Sequence, residues 1–354
     1  METAVIAKPD FPFFIRRLIE NHHVEGVKRK GQSVFGQAYF YGPIEHPDDL
    51  CLDFDCTAMP PKKYFLPPRE ELLHFTTRPT LSASAAMEIK ELILIGVHPY
   101  DIKAITQMDL IFSRGTPDPH YLQRRNAVCL IGVEPTRVAP RAFWASMGAA
   151  SVDSGFDLML TDIGVHYVVE SRSLKGEDLL SRYAKTRPAT AEEISRRERV
   201  RADAAGRCLQ RGLTVAKEEI PLLLEKFTDA WLWEEKSGKC LSCGTCNLVC
   251  PTCYCFDVWD ELAIDLVQGK RLRRWDGCLL QDFAKVASGE NFRETRTSRY
   301  QHRFLRKGCY LLPILDDVAC VGCGRCASAC LADIADPVDV FNRLKEEACK
   351  GEPP

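Results

Sequence analysis

The chain has 354 residues, 45% of them apolar and 27% charged, and a formal net charge of −2. That length suits two domains, or one domain with a large appendage, and the composition excludes a wholly disordered or fibrous chain. No basic excess of the kind shown by nucleic-acid or polybasic membrane binders is present.

The opening stretch METAVIAKPDFPFFIRRLIE lacks the basic, apolar and small-residue succession of a cleaved export signal. An uncharged apolar run of about 18 residues, the length of a spanning helix, occurs nowhere. The best run, ELILIGVHPYDIKAI, is broken by Pro99, Asp101 and Lys103. A soluble cytoplasmic protein with no membrane span and no nucleic-acid partner is therefore expected. In that compartment seventeen cysteines point to metal or redox chemistry rather than to disulfides.

In chain order, ELILIG (residues 91–96) and AVCLIGV (127–133) read as buried strands, and FDLMLTDIGVHYVVE as a hairpin around a glycine turn. HPYD, His98 to Asp101, reads as a strand-to-helix turn rather than a catalytic pair. The adjacent His22 and His23 face apart on any regular element, so they read as solvated or structural. Residues 1–185 are thus expected to form a mixed α/β domain. Residues 186–237 turn strongly charged and helix-favouring, a helical linker. TAEEISRRERVRADAAGRCLQRG predicts one helix, with Thr190 or Ala191 near its start and Gly212 past its end. KEEIPLLLEKFTDAWLWEEKSG predicts a second, with Pro221 in its first turn and Gly238 as its stop. Trp231 and Trp233 read as core or interface anchors.

Only four cysteines precede residue 240, and thirteen follow in the last 115 residues. Cys240, Cys243, Cys246 and Cys250 are spaced C-x-x-C-x-x-C-x-x-x-C with Pro251 next. Cys320, Cys323, Cys326 and Cys330 repeat the spacing eighty residues on. This is the bacterial ferredoxin pattern for 4Fe-4S clusters. Three thiolates on one loop wrap a cube, and the fourth reaches the other cube. The expected sets are Cys240, Cys243, Cys246 with Cys330, and Cys320, Cys323, Cys326 with Cys250, giving two 4Fe-4S clusters. Gly244, Gly322 and Gly324 suit loops whose amides approach the sulfurs. Zinc normally takes its ligands as two separated pairs, which fits these runs poorly.

Two departures stand out. Leu331 rather than proline follows Cys330, and a long insertion separates the runs. That insertion, KRLRRWDGCLLQDFAKVASGENFRETRTSRYQHRFLRK, is rich in Arg and Lys. It reads as a solvated face or as a docking surface that offsets cluster charge. Cys253, Cys255, Cys278 and Cys309 read as buried structural thiols, with a further metal site as the alternative. Residues 238–354 are thus expected to form a ferredoxin-like dicluster domain, and the whole an α+β chain. Neither G-x-G-x-x-G nor G-x-x-x-x-G-K-[ST] occurs in a nucleotide-binding context, and no catalytic constellation is legible. Electron transfer is the expected role. A zinc-stabilised binding module and a free-standing enzyme are the readings of other classes.

CGTCNLVCPTCYCFD, RRWDGCLLQDFAKVASGENFR, YQHRFLRKGCY and CVGCGRC, with FLPPREELLHF and GVHPYDIKAI upstream, resemble the iron-sulfur beta subunit of cytoplasmic nickel-iron sulfhydrogenases. The corresponding iron-sulfur subunits of anaerobic sulfite reductase and of flavin-linked heterodisulfide reductase complexes are similar. The resemblance implies an electron carrier between a flavin subunit that handles NAD(P)H and a hydrogenase, or other reductase, subunit. Relatives of this type often carry N-terminal cysteines where this chain has Tyr100, Pro135, Ala142 and Trp144, which implies two clusters and no N-terminal one.

Overall fold

Two hexapeptides, LILIGV and VCLIGV, are buried at every position in the computed structural model, as parallel strands covered on both faces must be. The structure describes residues 3–31 and 39–350. Its strands are β1 (Thr3–Ala7), β2 (Val24–Arg29), β3 (Tyr39–Pro43), β4 (Arg69–Thr76), β5 (Ser82–Ala85), β6 (Leu92–Val97), β7 (Val128–Val133), β8 (Leu158–Asp162), β9 (His166–Ser171), β10 (Arg187–Pro188), β11 (Phe256–Leu262) and β12 (Gln268–Trp275). Five helices accompany the N-terminal strands: α1 (Phe11–Asn21), α2 (Pro99–Ser113), α3 (Pro119–Ala127), α4 (Leu174–Tyr183) and α5 (Ala191–Leu209).

An eight-stranded sheet runs β10-β1-β9-β8-β7-β6-β2-β3. Its centre, β2, β6, β7 and β8, is parallel, and antiparallel strands flank it on both sides. The expected hairpin pairs Leu158 with Ser171 and Asp162 with Tyr167. Gly164 supplies the left-handed turn residue at φ +100°, a conformation costly for side chains with a Cβ. Leu94, Ile95, Leu130, Ile131 and Met159 centre the first core. A second core gathers around Phe227, Trp233, Tyr300, Phe304 and Phe341. The fold is mixed α and β, as expected.

Thr190 caps α5 by accepting a hydrogen bond from the Glu193 amide in a capping box. The helix is held on the sheet by Arg201, which reaches Glu134 at 2.8 Å and also binds Glu170. The expected second helix is broken into a turn at Lys217–Glu219 and helices Ile220–Lys226 and Leu232–Gly238. The break has a local cause. The Trp233 indole donates to the Phe227 carbonyl at 2.7 Å, the acceptor that a continuous helix would give to the amide of Trp231. Trp233 is thereby buried, while Trp231 stays exposed under Arg343.

A second sheet, β11-β12-β4-β5, joins residues from both halves of the chain. Its strands carry charge because the charges pair: Arg271 with Asp260, Lys270 with Glu71, and the buried Arg273 with Glu70 and Asp118.

The HPYD segment forms the strand-to-helix turn, with His98 as the N-cap and Pro99 first in α2. Asp101 does more than start the helix. Both its oxygens bind Arg325, at 2.6 Å each, and each side chain of the pair is 1% exposed. Arg325 belongs to the second cysteine run, so this pair ties that run to the N-terminal sheet.

Breaking such a pair strands a buried charge, at a cost of about 3–5 kcal/mol. Asp101→Asn is expected to lose that much in anaerobic urea denaturation, and Asp101→Leu combined with Arg325→Met to recover most of it. Burial pushes Glu134 up to about 7, against the pull of Arg201. The folded state therefore holds a proton that the unfolded chain releases near its ordinary value of 4.5. Stability should fall as pH rises from about 4.5 to about 7, and Glu134→Gln should flatten that slope in thermal melts.

Candidate functional site

Each cysteine run turns through left-handed backbone before entering a one-turn helix. Ser242 and Gly244 (φ 51° and 70°) lead into Thr245–Leu248, and Gly322 and Gly324 (φ 70° and 78°) into Arg325–Ser328. The two runs therefore share one conformation at equivalent positions. A Cβ on Gly324 would lie 2.4 Å from the Arg141 backbone, and one on Gly322 2.6 Å from that of Trp144. Only glycine lets the second run lie this closely on residues 141–144. There the Phe143 amide donates to the Gly322 carbonyl at 2.8 Å.

Cys240, Cys243, Cys246 and Cys330 line one cavity, beside Tyr300 and Ile334. Cys250, Cys320, Cys323 and Cys326 line a second, beside Phe143, Arg303 and Lys307. Each cavity takes three cysteines from one run and the fourth from the other. Cys243 is exposed, with Leu241 and Leu331 beside it at 67% and 77% exposure. The first cavity thus abuts the surface, whereas the second lies against Phe143 of the N-terminal half and the aromatic residues Phe304 and Phe341.

The charged linings differ, although Arg303 faces both sets, Cys246 of the first foremost and then Cys326 and Cys250 of the second. No charged side chain lines the first cavity. Arg303 and Lys307 line the second and are buried, as is Lys62 close by. Among the described residues none of these three cations has a carboxylate partner; the groups that raise their pKa values are cysteines. Burial works against the charge of Lys307, yet Cys250 and Cys253 hold it above the ordinary lysine value. The Arg303 Nε has no hydrogen-bond partner. Burial also pushes the Cys246 and Cys320 thiols up to about 12, so as free thiols they are neutral and balance nothing.

Buried charge without a partner is expensive. A cube of iron and sulfide held by four thiolates is a net anion, and it fits both the donor sets and the unbalanced cations. A single ion fits less well. Among the described residues, no three Cys, His, Asp or Glu side chains converge closely enough to hold one.

Several of the residues that matter here escaped the sequence reading. Arg299, Arg303 and Lys307 recur at i, i+4 and i+8 beside Tyr300 and Phe304. On a solvated helix face the aromatic residues would have no reason to join the cations, and that mixture was the available signal. All five side chains are buried. Part of the insertion is consequently not a solvated face, while residues 285–290 and 294–296 stay exposed. Arg273, Arg299, Arg303 and Lys307 turn inward, Lys307 to Thr252, whereas Arg271, Arg274 and Lys285 stay exposed and Arg296 reaches the Cys240 carbonyl from the surface. His22 lies at the surface against Tyr183, and His23 beside Glu25. Tyr100, Ala142 and Trp144 meet in one buried group next to Cys56, Cys208 and Cys323. The Tyr100 and Trp144 rings stack there, 6.3 Å apart.

Residues 239–334 match the family described as a 4Fe-4S dicluster domain. With the paired cysteine cavities, the match defines an iron-sulfur electron-transfer protein. No helix among the described residues is long and apolar enough to cross a membrane. The beta subunit of sulfhydrogenase 2 from Pyrococcus furiosus is 30% identical over 339 residues, which cover 95% of this chain and 96% of that one. The chain belongs to this family of sulfhydrogenase beta subunits.

Stripping the iron anaerobically with a chelator takes away the anion that faces three buried cations; Cys246 and Cys320 return to neutral thiols, and only thiols such as Cys250, held down by Cys253 and Lys307, still offset part of that charge. The melting temperature should therefore drop on chelation. Lys62→Met, which removes the cation that burial pulls down to about 8, should cost stability in the iron-loaded protein and restore some in the stripped protein, as differential scanning calorimetry on both forms would show.

Proposed function

We propose that this chain is the electron-transfer subunit of a soluble multi-subunit oxidoreductase, linking a flavin subunit that handles NAD(P)H to a nickel-iron hydrogenase subunit. Two 4Fe-4S clusters would serve as its stations. Cys240, Cys243, Cys246 and Cys330 would hold the first, and Cys320, Cys323, Cys326 and Cys250 the second. The single observation that carries the reading is the exchange of the fourth cysteine between two adjacent cavities, which sets two one-electron centres side by side. Kinship with a sulfhydrogenase beta subunit supports hydrogenase partners.

The residues divide the work. Exposed Cys243, Leu241 and Leu331 offer the apolar, surface-lying edge at which a partner's redox centre would exchange electrons. Arg303 faces cysteines of both sets, whereas Lys307 beside Cys250 favours the more reduced, more negative state at the second site, so an electron entering at the surface would settle inward.

The test uses the assembled complex. Reduced, anaerobically prepared protein is expected to show spin-coupled EPR signals from neighbouring clusters. Cys326→Ser should leave hydrogen-driven viologen reduction at the hydrogenase subunit intact and bring hydrogen-driven NAD(P)+ reduction to background. Leu331→Glu should raise several-fold the partner concentration needed for half-maximal transfer, with iron content unchanged. Substrate turnover by the isolated chain would sink the proposal, and association with a sirohaem subunit would redirect it to sulfite reduction.

A further inference from the structure

We infer that Cys253, Cys255 and Cys278 hold a third iron-sulfur centre, beyond the two ferredoxin-spaced sets. This extends the electron-transfer reading above and rests on it.

The hairpin of β11 and β12 assembles the three thiols. Its register pairs Phe256 with Trp275 and Asp257 with Arg274, and the pairing continues outward, where the Asp276 amide donates to the Cys255 carbonyl at 3.0 Å. Just beyond it, Cys253 and Cys278 both come within reach of one side chain, that of Asn247. Residues distant in sequence thus meet at the base of one hairpin. Asn247, 3% exposed, lies against this base. Its side-chain amide donates to the Cys278 sulfur at 3.4 Å and to the Cys253 sulfur at 3.6 Å. A Cβ at position 277 would lie 2.9 Å from the Asn247 side chain, so Gly277 is what allows the approach. Amide donors aimed at sulfur are a recurrent feature around iron-sulfur centres.

The surroundings are electropositive. Lys62, 2% exposed, donates to the Cys253 carbonyl at 2.9 Å and sits 4.2 Å above the Trp275 ring. Lys307 donates to the carbonyl and hydroxyl of Thr252, at 2.7 Å each. Inert buried cysteines sit in apolar surroundings, whereas thiolates and metal ligands sit beside cations. Cys309 is the internal contrast. Its thiol meets only the Pro221 carbonyl at 3.4 Å, within the apolar second core, and remains a structural thiol.

Three thiolates satisfy a 3Fe-4S cluster, or a 4Fe-4S cluster with one iron left open to another ligand. Cys250, Pro251 and Thr252, the residues leading into Cys253, line the second cavity, which places the third centre directly beside it. It would accept one electron as the neighbouring cluster loses one. The path would then run from the Cys243 surface through both ferredoxin-type sites toward the second sheet.

Iron and acid-labile sulfide are measured on full-length protein prepared anaerobically and reconstituted with ferrous iron and sulfide. The expected count is about eleven or twelve irons per chain, three or four above the eight of two 4Fe-4S clusters. Cys278→Ser and, separately, Cys255→Ala should lose about a quarter to a third of the iron and one EPR species, with the spin-coupled pair retained. Cys309→Ala should lose none. About eight irons in the wild type, unchanged in Cys278→Ser, would overturn the third centre and leave the two-cluster reading standing. Fewer than eight irons with no coupled signal would overturn the two-cluster reading itself and the third centre with it.

Discussion

Positive charge buried without carboxylates is the constraint on which the second half of this molecule depends. Lys62, Arg303 and Lys307 lie inside the protein among cysteines, and their neighbours are sulfur, carbonyl oxygen and aromatic faces. An interior of that kind is balanced only when the sulfurs are thiolates, and protonated thiols at neutral pH are not. Metal capture supplies the missing negative charge, because ligand cysteines must deprotonate to bind. Folding and cofactor loading are therefore two aspects of one equilibrium in this region.

The two cysteine runs are equivalent in spacing and backbone but not in setting. One lies on the backbone of residues 141–144, held by glycines with no room for a Cβ and by the Arg325–Asp101 pair. The other reaches the surface at Cys243 between exposed leucines. A pair of like centres, one buried beside Lys307 and one open to the surface, with Arg303 facing cysteines of both, is unequal in exposure and in charge. Local sequence similarity alone would make the two interchangeable, and their tertiary surroundings make them different.

The long insertion between the runs explains how the halves of the chain become one body. Its first part pairs as β12 with β4, some two hundred residues earlier. Its later helix, Arg296–Leu305, packs its aromatic residues into the second core while directing cations to the cysteines. What resembles a surface decoration in composition is structural and electrostatic material for the site.

Some of this was legible from sequence because it depends on short-range physics. Leu92–Val97 and Val128–Val133 read as buried strands because uninterrupted apolar residues cannot face water. The Thr190 start of α5 followed from capping chemistry, and the turn at His98–Pro99 from the restriction proline places on its backbone. The cysteine spacing pointed to 4Fe-4S chemistry because ligand geometry around a cube repeats in any fold. Other features depended on partners far away in the chain. The second sheet was not legible, because its charged strands are stable only through cross-strand pairs such as Lys270–Glu71 and Arg271–Asp260. The helix break near Phe227 required the Trp233 indole to compete for a carbonyl. The approach of Cys253 and Cys278 to the Asn247 side chain required contacts between distant residues that no local pattern encodes. Sequence by itself determined the central buried strands, the capped start of α5 and the iron-sulfur spacing, since these follow from neighbouring residues. Tertiary structure decided which charges are buried, which cluster site faces outward and which thiols share a site, since those depend on contacts between residues that only the folded chain brings together.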